Sequence, residues 1–177
     1  ERISLAIQGR PTGGTEPRYK FIAMSADLRV QDVSIYTVGR SPIIYVAVFS
    51  TDNNGVADQI LVDKVNAALQ DVKVRMVNDT IVVAPAASSV KNIRANAWLL
   101  PSAPTSTISN MATALRSAWL AEMALGRDIT KSWLTSKLMI AGVQRVEIVL
   151  PTSDIVVPFN QAAGLGAIII ENMGRDF

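Results

Sequence analysis

The spacing of apolar side chains divides this chain into stretches of different period. Between residues 16 and 27, Tyr19, Ile22, Ala23 and Ala26 recur at helical steps, so a short helix is expected there. Ahead of it, Ile3, Leu5, Ala6 and Ile7 make an apolar segment that Gly9 stops, and residues 9–15 have the composition of a loop. Residues 1–27 together read as a helical arm. Val33, Ile35 and Tyr36 then mark a strand, and residues 39–42 a turn. Residues 43–49 are apolar at both parities, which suits a central strand covered on both faces, or one covered by a helix and a neighbouring domain. After a polar surface turn at 50–55, a helix over 57–70 places Ala57, Leu61, Val65, Ala68 and Leu69 on one face. A strand at 80–84 closes this part.

Residues 85–89, Pro-Ala-Ala-Ser-Ser, read as a linker. Beyond it, residues 91–100 alternate, with Ile93, Ala95, Ala97 and Leu99 on one face and Asn92, Arg94 and Asn96 on the other. A long helix over 105–125 carries Ile108, Met111, Ala112, Leu115, Ala118 and Trp119, and Gly126 is placed to cap it in the left-handed region. Thr130 can cap a further helix bearing Leu134, Leu138 and Ala141, which Gly142 ends. Residues 143–150 read as a strand with Val146, Ile148 and Leu150 on one face, and 155–157 and 167–170 as two more short strands. The expected class is α+β: the arm 1–27, a β-β-α-β module over 28–86, and a β-α-α-β-β-β module over 87–177. The halves share a rhythm and no residue-level repeat.

Composition narrows the chemistry. Of 177 residues, 49% are hydrophobic and 18% charged, which is too apolar for disorder and enough for a core. The absence of cysteine excludes disulfides, thiolate metal sites and thiol nucleophiles. The absence of histidine removes the most used general base at neutral pH and the commonest metal ligand. Seventeen basic against 15 acidic residues leave +2, no strong field for nucleic acid or an anionic membrane. The longest apolar runs fall far short of the ~20 residues of a bilayer span. Glu1 in place of an initiator methionine suggests a piece of something longer.

The candidate constellations are weak. Ser88-Ser89-Val90-Lys91 has the Ser-x-x-Lys spacing, which puts an amine one helical turn from a hydroxyl, but here it opens a strand without companion motifs. Gly164-Leu165-Gly166 and the glycines from Gly9 to Gly14 lack the residues and the strand-then-helix setting of a phosphate or dinucleotide loop. Asp52-Asn53-Asn54-Gly55 with Asp58 has part of a calcium-loop pattern without its terminal glutamate. Glu122, Asp128, Glu147 and Asp154 stand singly. Arg116, Arg127, Lys131, Lys137 and Arg145 make the second half mildly basic, a solvated surface or a contact for acidic patches on a partner. Trp98, Trp119 and Trp133 read as core or interface anchors. No catalytic, metal or cofactor residue is assigned, and a structural or interaction role is favoured over an enzyme.

Three segments of the second half carry a resemblance. Leu125-Gly126-Arg127-Asp128-Ile129-Thr130-Lys131-Ser132, Gly142-Val143-Gln144-Arg145-Val146-Glu147, and the stretch from Pro151 through Asp154 to Val157 resemble the C-terminal region of the baseplate J-like family, with Gln161-Ala162-Ala163 following. Upstream, Ala23-Met24-Ser25-Ala26-Asp27 with Val30 to Val33 is similar to the opening of that family's middle domain, and Val77-Asn78-Asp79-Thr80-Ile81-Val82-Val83 to the strand that closes it. The resemblance runs through nearly the whole chain in order, more loosely over residues 1–14 and 101–107, and leaves the family's N-terminal region without a counterpart. It implies a structural component of a contractile-tail baseplate wedge, from a phage, a prophage or a related injection machine, with no catalytic residues and no cofactor. Expected partners are other wedge and tail proteins and further copies of itself, with no small-molecule substrate, nucleic acid or membrane span. The implied location is the virion tail baseplate, reached from the host cytoplasm during assembly. The alternatives are a receptor- or DNA-binding tail module and, behind it, a cell-wall hydrolase.

Overall fold

The computed structural model describes residues 13–175, so the apolar segment of Ile3, Leu5, Ala6 and Ile7 lies outside the described residues. The elements run α1 (Glu16–Ser25), β1 (Val30–Tyr36), β2 (Ile43–Ser50), a 3-10 turn (Asn53–Gly55), α2 (Gln59–Gln70), β3 (Thr80–Pro85), β4 (Ala87–Leu99), α3 (Thr107–Glu122), α4 (Lys131–Leu138), β5 (Val143–Leu150) and β6 (Gln161–Arg175). The class is α+β, with two three-stranded sheets, β1-β2-β3 and β5-β4-β6. Two compact units hold them: Glu1–Ser88 with Pro158–Ala162, and Ser89–Val157 with Ala163–Phe177.

In the first unit, β2 is the middle strand, antiparallel to β1 and parallel to β3. Its apolar run at both parities is buried from Val46 through Ser50. Helix α2 begins where the Asp58 carboxylate accepts the Leu61 N–H at 2.7 Å, satisfying one donor that the first helical turn leaves free. It buries Leu61, Val62, Val65 and Leu69. Helix α1 adds Tyr19, Ala23 and Met24 to the same core, together with Val30, Val33, Val48 and Ile81 of the sheet. Gly14 is required ahead of it, since a Cβ there would sit 2.7 Å from both the Tyr19 hydroxyl and Met76 Cγ.

In the second unit, β4 alternates as its sequence does, burying Ile93, Ala95, Ala97 and Leu99. Helices α3 and α4 pack together, and α4 packs on β5. Met111, Leu115, Trp119, Leu134 and Leu138 complete this core. The Thr130 hydroxyl caps α4 by accepting the Trp133 N–H at 3.2 Å.

Several expectations are corrected. Residues 85–89 hold the division between the two units, at Ser88, yet they are extended strand rather than loop: β3 ends at Pro85, β4 begins at Ala87, and the Ala86 N–H donates to Val48 O at 2.9 Å. Small residues in extended backbone look like a loop in sequence, yet pair as strand. The long helix stops at Glu122, three residues before Leu125, and Gly126 (φ 65°) serves the turn beyond it. Helix α4 ends at Leu138, so Ala141 lies outside it, and Gly142 (φ 92°) turns the chain into β5. The three-strand ending becomes two strands, giving β-α-α-β-β: residues 167–170 fall inside the single long β6, and Ile155 makes only an isolated bridge to Ile129. A register shift between Arg94 and Ala95 places Leu150 opposite Arg94 on the exposed face, away from the buried Ile148.

Candidate functional site

The segment 125–157, which carries the most specific resemblance, is organised around one carboxylate. Glu122, at the last position of α3, accepts the indole N–H of Trp133 at 3.0 Å. It also pairs with Lys137 at 2.7 Å and with Arg127. The Lys137 ammonium first, and the Trp133 N–H next, hold the Glu122 carboxyl below its ordinary range. The ring of Trp133 meets that of Trp119 edge to face, centroids 5.3 Å apart. The Trp119 N–H in turn donates to Ala163 O at 3.3 Å, so a buried indole is satisfied by backbone near the start of β6. Two further carboxylates tie loops: Asp128 accepts the Val157 N–H at 2.8 Å and Asp154 the Lys131 N–H at 2.7 Å. These side chains fix the shape of the segment.

The other candidates are dispersed. Ser88 and Lys91 both lie on β4, three residues apart, and so point to opposite faces rather than meeting as they would on a helix. Gly166 packs beneath Val90 and the Asn92 side chain, whose Oδ1 accepts the Ala167 N–H at 3.0 Å. Gly164 has only an ordinary contact with Val90, and the close approach at Gly14 is to Tyr19, Met76 and Asp79. The Asp52 and Asp58 carboxylates face the Arg29 guanidinium, at 3.9 and 3.1 Å. Arg29 also reaches Asp27, which Lys64 holds at 2.8 Å, and Lys64 is the chief cause that lowers the Asp27 carboxyl. A guanidinium therefore stands where a calcium ion would have to sit. Among the described residues no three of His, Cys, Asp or Glu come together as a metal site.

Of the basic residues, Arg127 and Lys137 serve Glu122, and Arg116 donates to the carbonyls of Leu165 and Gly166. Arg145 stacks on Trp98, its guanidinium carbon 3.7 Å from the ring centroid. In sequence Glu122 stands as a lone carboxylate, because its partners lie five, 11 and 15 positions away across a turn. Nor does sequence reading find the Tyr19–Asp79 contact of 2.5 Å, where burial and then the bond to Asp79 raise the phenol above its ordinary pKa. No helix of the described residues is long and apolar enough to cross a membrane.

No family model matches the chain. It is 36% identical over 163 residues to Baseplate protein J of Escherichia phage P2, an alignment covering 92% of this chain and 54% of that protein. The chain thus spans about half the length of this curated relative. Among solved structures it is similar to a chain of the anti-feeding prophage baseplate, determined by cryo-EM with 6-fold symmetrisation, at a TM-score of 0.64. That match covers 92% of this chain and 39% of the other at 14% identity, a likeness of fold. The resemblance read from the Leu-Gly-Arg-Asp and Gly-Val-Gln-Arg-Val-Glu segments stands, and by sequence this chain is a relative of a phage baseplate protein along nearly its whole length.

Proposed function

We propose that this protein is a structural component of a contractile-tail baseplate, working in assembly through protein–protein contacts. The observation that carries the reading is the 36% identity sustained over 92% of the chain to Baseplate protein J. The geometry supports it: conspicuous charged and aromatic side chains, Glu122, Arg127, Trp133 and Asp128, tie the chain to itself. In this reading the protein has no substrate, and its neighbours are other wedge and tail proteins. It assembles in the host cytoplasm and ends in the tail baseplate of the particle. Deleting its gene tests this: particles with heads and no completed tails, restored by the gene in trans, are the expected result. Full-length contractile tails in the deletion strain would refute it.

A further inference from the structure

Strand β6 is the last strand of its sheet, paired with β4 on one side and with no strand on the other among the described residues. A strand in that position leaves backbone N–H and C=O groups along its open edge without ladder partners. Near the start of β6, Arg116 of α3 supplies donors, reaching Leu165 O at 3.4 Å and Gly166 O at 2.8 Å. Beyond Gly166, residues 167–173 read Ala-Ile-Ile-Ile-Glu-Asn-Met. They contain neither Lys nor Pro, the residues that commonly keep an edge from pairing. Ile169 is 53% exposed and Met173 49%. Such an edge is open to a further strand.

At the head of this edge, α3 and β6 enclose a groove of about 260 Å³, lined by Ala112, Thr113, Arg116, Ser117, Leu120 and Ile168. Leu120 is 52% exposed, an apolar side chain that the fold leaves half in water. Arg116 is the one charged residue of the six. Two of its five guanidinium N–H groups serve the β6 carbonyls, and no carboxylate pairs with it among the described residues. Carbonyls satisfy donors but leave the positive charge uncompensated. The groove therefore sets a cation beside an apolar wall, at one end of a row of open backbone groups. An aliphatic carboxylic acid matches the first two features. Only a polypeptide matches the third as well, since it alone brings a ladder of N–H and C=O groups.

We propose that this groove captures the carboxyl-terminal end of another polypeptide, through a terminal carboxylate on Arg116 and an apolar last side chain against Leu120 and Ile168. The residues before it pair with β6 from Ala167 toward Met173. A guest that ends at Arg116 and reaches back toward Met173 runs opposite to β6, which gives the more stable antiparallel ladder. Its side chains alternate, so the last and third-last residues share the groove side and are apolar. The proposal stands on the second unit alone and does not depend on the baseplate reading.

The test is an NMR titration of the isotope-labelled chain with acetylated pentapeptides of alternating Val and Thr that end in Val, Leu or Phe. Each is used as the free acid and as the C-terminal amide. At least one free acid should bind saturably below about 5 mM, shifting the backbone signals of Ser117, Leu120 and Ile168 to Glu171. The matching amide should bind roughly tenfold or more weakly, because it lacks the charge that Arg116 meets. Arg116→Gln and Leu120→Glu should weaken the free acid by a similar factor, the first by removing the cation and the second by opposing the carboxylate. Gln keeps a donor for the β6 carbonyls and position 120 is exposed, so both variants should retain the parent's circular dichroism. Failure of all the free acids to saturate, equal binding of acid and amide, or shifts centred away from the groove would each overturn the proposal. Octanoate that binds as tightly as the best peptide would overturn it too, by making the groove a site for free acids.

Discussion

From Val46 onward β2 is buried at every position, whereas β4 is buried at every second one, and both are the middle strands of three-stranded sheets. The difference lies in what covers the second face. In the first unit, α1 and α2 cover one side, and residues 158–162 return to the other. There Asn160 and Gln161 share a cavity of about 120 Å³ with Tyr45 and Ala47, while Phe159 meets Tyr36 edge-on at 5.6 Å. The second unit places its helices on one side of β4 and puts Arg94, Asn96 and Trp98 on the other. A doubly covered strand is finished as a surface; a singly covered one remains available to a partner. The fastenings differ too. The first unit is laced by Arg29, Asp27, Lys64 and Asp58, the second by Trp119, Trp133 and Glu122.

Substitutions should expose that contrast in order of size. Trp119→Ala removes a ring that is 3% exposed and strands its contact with Trp133, so a loss of about 3–5 kcal/mol is expected in a denaturant titration. An unchanged midpoint would mean that the indole does not seal the second core. In the first unit, Tyr19→Phe deletes the hydroxyl that donates to Asp79 and accepts the Met76 N–H. A smaller loss of roughly 1–3 kcal/mol should follow. Thr130→Ala removes the α4 cap and should cost about 0.5–2 kcal/mol, read as a lower midpoint and faster amide exchange in residues 131–134. Arg94→Ala breaks an exposed pair with Glu171 and should cost only about 0–1 kcal/mol in the same titration.

Acid should loosen both units. The carboxyls of Asp27, Asp58 and Glu122 all titrate below their ordinary range when folded. For each, the unfolded chain binds the proton first as pH falls. The stability from their pairing is present above the ordinary carboxylate range and is lost as pH drops through the lower folded values. Melting temperature should therefore hold near neutrality and decline below about pH 4. Asp27→Asn and Glu122→Gln should each flatten that decline, and a decline unchanged in both variants would contradict the assignment.

How much of this is legible in the residues follows from the range of each signal. The unbroken apolar run of β2 and the alternation of β4 report the number of covered faces directly, because period two is a local property of a strand. The caps at Asp58 and Thr130 are local as well: Thr130 reads as one from sequence, while Asp58 reads only as part of a possible ion loop. Residues 85–89 mislead because Pro, Ala and Ser are loop residues by composition, while the pairing of Ala86 with Val48 depends on a strand 38 positions away. The single β6 is hidden for a related reason: Gly164 and Gly166 break the pattern in sequence, yet both lie within the strand, and Gly166 sits directly beneath Val90 and Asn92. Glu122 and Tyr19 look ordinary in isolation, since their partners are brought to them only by the fold.

The proposed place of this chain in a tail baseplate is tested most directly by immunogold electron microscopy of tail particles from the strain that makes it. Label confined to the tail end distal to the head is the expected result. Particles that carry no label, with the protein abundant in the same lysate, would contradict it.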